Sequence, residues 1–397
     1  MGSTCEPRIA ILMTGDVVRN KTIRVKGKYF LDAIRDQLPI VDVYNTSLHG
    51  VSRFLNALQV FRPSYQFWRQ RLHMNVPAFK KSSYRAAKYL KSLSEPIDVI
   101  YQDGVLFDAQ WDHTDIPSII STDYTARLSA NQPEYGRSPF TPRELDEWIA
   151  LEAQAMQKAT HIFTWSEYVR RSVIRDYNIS TDRVTAVGGG LNFSRLPKVQ
   201  PRLHQDSPMA LFIGLDFYRK GGDLVLRAFE NVRKQLPNTR LTVITSSAIP
   251  SELPMDGVSV YPPVWNRDAL NAFYQQADIF VLPSRLETWG DVFIEAMAFE
   301  LPCIGVEGLP MEEIIRHQET GLLVHSEDVE EITNALSYLF KNPELRQQWG
   351  KAGRARIVEK YTWEKVVNRM APIIRIVGLE KTSRPCSLKE DSSCEKS

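Results

Sequence analysis

Short apolar runs recur along this chain, each closing on a small or polar residue and each separated from the next by amphipathic sequence: RIAILMTG, PIDVIYQDG, PSIISTD, THIFTWSE, MALFIGLDF, LTVITSS, ADIFVLPS and PCIGVEG. Such runs suit strands buried on both faces, and helical sequence between them makes parallel pairing the natural connection. The pattern predicts doubly wound parallel sheets. It lapses between Asn192 and Pro208 into NFSRLPKVQPRLHQDSP, which carries three prolines and no periodic apolar face. ALFIGLDFYRKGG then restarts the order of strand, glycine-bearing turn and helix. A chain of 397 residues has room for two domains at roughly 100–200 residues each. The expected division is 1–195, a linker at 196–207, a second domain at 208–365, a terminal helix at 366–380 and a polar, disordered tail at 381–397. Pro372 falls inside that helix and predicts a kink.

Composition removes several classes. The 49 Lys+Arg and 47 Asp+Glu nearly cancel, so nothing suggests a nucleic-acid partner. Cys5, Cys303, Cys386 and Cys394 show neither paired nor metal-ligand spacing, which fits a reducing cytoplasm. The first apolar run, IAILMT, is too short for a signal-peptide core, and no segment approaches about eighteen apolar residues. The expected location is cytoplasmic, with peripheral contact to the inner face of a membrane left open.

Glu287 and Glu295 stand on either side of seven residues that include Trp289, Gly290 and Asp291, and the run VFIEAMAF opens at Val292. The spacing puts one carboxylate in a loop and the other about one turn into a helix, both near its N-terminus. That end offers unpaired amides and the positive pole of the helix, a seat for a diphosphate. Two glutamates at a given spacing are ordinarily a cap and a solvated helical residue. Here the whole stretch PSRLETWGDVFIEAMAFELPCIGVEGLPMEEII, with TGLLV after it, resembles the donor-site signature of glycosyltransferase family 4.

The resemblance implies an α/β GT-B architecture: two Rossmann-like domains facing a cleft, with the C-terminal helix crossing back to the first domain. It implies that Glu287 bonds hydroxyls of a donor sugar and Glu295 the ribose of the nucleotide, with Thr288, Trp289, Gly290, Asp291 and Val292 around them. FIGLDFYRKGGD resembles the family's phosphate loop, so Lys220 takes the diphosphate role, with Gly214 at the strand end. Relatives often place an arginine where this chain has Leu215, and Arg219 is the nearby residue able to supply that charge. Val264 and Arg267 correspond to neighbours of the base. The glycine-rich loop that usually begins with two glycines here begins with Glu307.

The first half is less specific. Gly15 and Asp16 follow the first strand and would face a cleft there, without forming a dinucleotide fingerprint. Asp103 ends the run DVIYQD near the place where many relatives carry a histidine close to the reacting sugar. Asp123 also ends an apolar run, with a helix cap as the alternative. From Val43 to Ser94 there is no acidic residue, while Arg53, Arg62, Arg69, Arg71, Lys80, Lys81, Arg85, Lys88 and Lys91 alternate with aromatics. Residues 51–91 would suit an anionic membrane surface. They would equally suit an anionic acceptor pocket, a partner interface, or a plain solvated face.

The expected activity is retaining transfer of a hexosyl group from a UDP-, GDP- or ADP-sugar to a hydroxyl of a glycan, lipid or small molecule. Glu287, Lys220, Arg219, Asp103 and Asp123 are the candidates for the chemistry. No Asp-x-Asp pair is present and no metal or other cofactor is expected. The alternative is a related fold that keeps the nucleotide site for binding or scaffolding only.

Overall fold

The structure, a computed structural model, describes residues 6–15, 21–132, 134–135, 139–201 and 207–379, with side chains for all of these except 21–26 and 66. Asp16 and the tail beyond 379 lie outside the described residues.

The strands are β1 (Ile9–Met13), β2 (Ile40–Asn45), β3 (Val99–Asp103), β4 (Ser118–Thr122), β5 (His161–Thr164), β6 (Val184–Ala186), β7 (Met209–Ile213), β8 (Arg240–Ile244), β9 (Val258–Tyr261), β10 (Ile279–Val281), β11 (Cys303–Val306) and β12 (Gly321–Val324). The helices of the first half are α1 (Lys21–Arg35), α2 (Gly50–Gln59), α3 (Tyr65–Arg71), α4 (Val76–Ser92), α5 (Ala126–Ala130), α6 (Pro142–Lys158) and α7 (Glu167–Tyr177). Those of the second are α8 (Gly222–Gln235), α9 (Arg267–Gln276), α10 (Asp291–Ala298), α11 (Met311–Ile314), α12 (Val329–Lys341), α13 (Pro343–Lys360) and α14 (Trp363–Leu379).

Two six-stranded parallel sheets result, in the orders β2-β1-β3-β4-β5-β6 and β12-β11-β10-β7-β8-β9. Every one of the eight apolar runs supplies a strand. Their side chains are wholly buried in β1, β4, β7 and β11, because helices cover both sheet faces. Beyond those runs, β2 is an outer strand with Asp42 exposed, so its sequence lacks a continuous apolar signature. Strand order reverses between β1 and β3 in the first sheet and between β7 and β10 in the second. In open α/β sheets such switch points open a crevice beyond the strands' carboxyl ends. The residues after β1 and β3 therefore face a cleft from one domain, and those after β7 and β10 from the other.

Register holds the first of these edges together: Met13 pairs with Asp103, and Asp103 with Ser121. Helix starts are fixed locally. Thr141 and Glu144 form a capping box on α6, and Ser166 caps α7. α14 continues through Pro372 to Leu379 and packs on the first domain, burying Trp363, Val366, Val367, Met370 and Ile374 with Phe30 and Tyr101. The chain thus crosses between the domains twice.

Candidate functional site

The turn after β7 and the loop after β10 meet at the second sheet's switch point. Gly214 sits where an added Cβ would lie 2.7 Å from Cβ of Lys220. Gly221 is left-handed (φ 74°), and an added Cβ there would be 2.2 Å from the carbonyl oxygen of Pro283. Only glycine allows that approach. The consequence is a buried ion pair between the Lys220 ammonium and the Glu287 carboxylate, whose side chains are 13% and 7% exposed. Burial opposes ionisation of Glu287, but Lys220, through charge and hydrogen bond, and then Arg219 outweigh it and hold the carboxyl below its usual range. Arg219 is itself buried, donating to the Leu286 carbonyl at 3.0 Å and to Asp216 at 3.2 Å. Leu215 stands half exposed where a second cation was absent from the sequence pattern, and its carbonyl accepts from Ser246 and Ser247.

Gly290, left-handed at φ 103°, caps α10 and turns the chain so that Asp291 and Val292 open the helix. Glu295, one turn on, is buried, and each carboxylate oxygen accepts one bond: Arg267 donates to Oε1 at 3.0 Å and the Tyr274 hydroxyl to Oε2 at 3.1 Å. Arg267 also stacks over the Phe193 ring at 4.7 Å, and its Nη1 is buried without a partner among the described residues. Val264 is half-buried against the second domain's core. Trp289 is a core residue at the domain junction, 2% exposed and edge-on to Tyr361 with centroids 5.4 Å apart. That packing, rather than an open cleft, surrounds its ring.

On the opposite side, a cavity of ≈ 420 Å³ opens between the domains, lined by Thr14, Asp103, Asp123 and Thr288 among others. Asp103 projects from the end of β3; burial first, and the Asp123 charge second, push its carboxyl up to about 7. Asp123 is exposed at the mouth. The Gly15 amide donates to Ser47 at 2.7 Å and to Asn45 at 3.2 Å, so protein atoms hold it. The sequence-derived candidates therefore fall into two facing groups, Lys220–Glu287–Arg219 with Arg267–Glu295 on one side and Asp103 with Asp123 on the other. Thr288 reaches both.

Sequence reasoning missed Tyr124, Ser129, Trp148 and Glu152, which also line the cavity. Burial above all raises the Tyr124 phenol, and the charges of Arg219 and Glu287 reach it from the other domain. Glu152 is buried in mid-α6, where the sequence reads as an ordinary helical glutamate. The basic stretch also divides: Arg71 is buried, bonding Glu144 and the Pro139 carbonyl, while Lys80 pairs with Glu147 and Lys91 with Asp112. Those three are structural, because partners from α6 and a later loop neutralise them.

Residues 197–356 match the family Glycosyl transferases group 1. An uncharacterized glycosyltransferase of Methanocaldococcus jannaschii is 24% identical over 245 residues, covering 57% of this chain and 63% of that one. A GDP-mannose-dependent alpha-(1-6)-phosphatidylinositol monomannoside mannosyltransferase of Mycolicibacterium smegmatis is 26% identical over 183 residues, covering 43% of this chain and 48% of that one. The aligned part thus spans about half to two-thirds of these relatives' length. Sucrose-phosphate synthase from Thermosynechococcus elongatus superimposes with a TM-score of 0.68 at 17% identity, covering 94% of this chain and 100% of that one. Two parallel-sheet domains facing one cleft give this chain the GT-B glycosyltransferase fold, and the stretch that matches the glycosyl transferases group 1 family lies in the second of them.

Proposed function

We propose that the protein is a retaining hexosyltransferase that uses a nucleoside-diphosphate sugar and needs no metal. The observation that carries this is the Lys220–Glu287 pair at the entrance to α10, across from a cavity ending in Asp103. The ammonium and the α10 amides would bind the diphosphate, and Glu287 would accept hydrogen bonds from sugar hydroxyls. In the transfer, the bond from the anomeric carbon to the phosphate oxygen breaks, the acceptor oxygen bonds to that carbon on the same face, and the departing phosphate takes the hydroxyl proton. Preorganised positive charge at Lys220 stabilises the developing diphosphate. The GDP-mannose dependence named for the mycobacterial relative is consistent with a nucleotide-sugar donor. Because the Arg267 and Tyr274 bonds leave lone pairs on Glu295, it remains able to accept from a ribose hydroxyl.

The same proposal includes work inside the cell against an anionic membrane. Val51, Phe54, Leu55 and Leu58, at positions i, i+3, i+4 and i+7 of α2, are all more than half exposed. Phe61 and Tyr65, each edge-on to Trp68, are also exposed, and Arg53, Arg62 and Arg69 lie in the same stretch of sequence. No helix among the described residues is long and apolar enough to cross a membrane.

The test is thermal shift against UDP-, GDP- and ADP-sugars, followed by NMR of the sugar released by slow hydrolysis. The correct donor raises apparent stability by mass action. Failure of every donor to release nucleoside diphosphate would favour a binding protein instead, and an inverted anomer would overturn retention.

A further inference from the structure

The turn that carries Lys220 and the loop that carries Glu287 are strapped together by two arginines, each bonding the backbone beside the other. Arg219 donates from Nη1 to the Leu286 carbonyl at 3.0 Å, and the Arg285 amide donates to the Arg219 carbonyl at 2.9 Å. Nη1 of Arg285 donates to the Tyr218 carbonyl at 2.5 Å. The Arg219 and Leu286 carbonyls belong to the peptide bonds that lead into Lys220 and Glu287 themselves. Arg285 reaches further. Its guanidinium bonds both oxygens of Asp223, in the first turn of α8, at 2.6 and 3.0 Å. It also bonds both oxygens of Glu327, in the loop before α12, at 2.5 and 2.8 Å. All five of its N–H donors are thereby taken, the Tyr135 ring lies 5.6 Å from its carbon, and the side chain is 7% exposed. It has no donor left over for a ligand. Glu327 holds a φ of +64°, a left-handed backbone that a glutamate keeps only where its surroundings impose it. What that conformation delivers is a carboxylate on Arg285.

We propose that Arg285 is a positioning residue for the Lys220–Glu287 pair. One guanidinium, bound at once to the Tyr218 carbonyl, Asp223 and Glu327, fixes the lysine-bearing turn against the glutamate-bearing loop. The assignment rests on the transferase reading only for what the pair is used for, since the strap itself is made wholly of protein contacts. Arginine suits the task because its planar fork holds two carboxylates by both oxygens and still has a donor for a carbonyl, whereas a lysine ammonium is a point charge with three donors. Bidentate bonds fix direction as well as distance. Direction matters here because Lys220 and Glu287 are both almost withdrawn from water, so solvent does not fill in for a contact that either loop loses by shifting.

The test is the energetic coupling between Lys220 and Glu287 in the full chain. It is read from urea unfolding of the wild type, Lys220→Met, Glu287→Gln and the double variant, then read again with Arg285→Lys added to all four. A residue that merely stabilises the domain lowers the unfolding equilibrium constant of all four by one factor and leaves the coupling unchanged. A positioning residue does not: with Arg285→Lys the coupling should shrink by roughly tenfold or more, as a ratio of those constants. Glu327→Gln serves as a second background if the Arg285→Lys chains do not fold. Its side chain is 54% exposed, so the fold should survive, and the coupling should shrink by roughly threefold. Unchanged coupling with Arg285→Lys, or with Glu327→Gln where the former does not fold, would overturn the proposal. Calorimetry of the wild type with UDP, GDP and ADP keeps the two readings apart. A shrunken coupling in a protein that binds none of the three sinks the transferase reading alone, and nucleotide binding with unchanged coupling sinks the positioning role alone.

Discussion

Replacing Glu287 by glutamine removes one half of a charge pair whose two side chains are almost withdrawn from water. Two unit charges about 4 Å apart attract by about 4 kcal/mol at an effective dielectric near 20, and truncating one partner of a buried pair typically costs about 3–5 kcal/mol. Glu287→Gln and Lys220→Met should therefore each destabilise by about 3–5 kcal/mol, measured by urea unfolding near neutral pH. The double variant should fall short of the sum by about 3 kcal/mol, because the second change removes a charge whose partner is already gone. The sign with pH follows from the depressed carboxyl. Its contribution is complete above the unfolded glutamate value of 4.5 and is lost as pH falls through the lower folded value, so the coupling should shrink in acid. Losses that add to within about 0.5 kcal/mol would show that the two groups do not share an ion pair, and would remove the physical basis given for the donor site.

Other expectations are as direct. Burial raises the Glu152 carboxyl to about 7 from 4.5, so the folded state binds the proton more tightly and stability declines as pH rises across that window. Glu152→Gln should flatten the decline by up to about 3 kcal/mol, and an unchanged slope in pH-dependent urea melts would contradict the burial argument. Gly221→Ala should destabilise by roughly 3 kcal/mol through the clash with Pro283 and the left-handed backbone, and should weaken nucleoside diphosphate binding in calorimetry; wild-type behaviour would rule out the tight turn. Phe54→Ser/Leu58→Ser should reduce sedimentation with phosphatidylserine vesicles by tenfold or more, since each inserted side chain contributes about 1.5–3 kcal/mol. Unchanged sedimentation would discard the membrane face.

Much of the fold was legible because burial on both sheet faces leaves continuous apolar runs, as in Ile9–Met13 and Met209–Ile213. Outer strands escaped this logic, as the mixed Ile40–Asn45 shows. The proposed donor side was readable because its parts are local: Gly214, Lys220 and Gly221 occupy one turn, and Glu287 to Glu295 one loop and helix. What brings the two turns together is the β7–β10 switch point, which sequence spacing does not display. The first domain's side of the cavity depends on longer reach. Glu152 is recognisable as unusual only once Tyr177 and Ala126 close over it from α7 and α5. Trp289 depends on the fold in another way: its place in the motif suggested a ligand contact, and its ring packs edge-on to Tyr361.

The double crossing of the chain has a mechanical consequence. Leu191, on the way out of the first domain, donates its amide to the Tyr361 carbonyl on the way back at 2.7 Å, and Gly190 lies so close to Trp363 that an added Cβ would sit 2.3 Å from its ring. Two segments of chain pinned side by side join the domains, so any relative motion of the domains must bend or turn the chain there. It also means that neither domain can be excised by a single cut: removing the chain after Lys360 would strip Trp363, Val366 and Met370 from the core of the first domain.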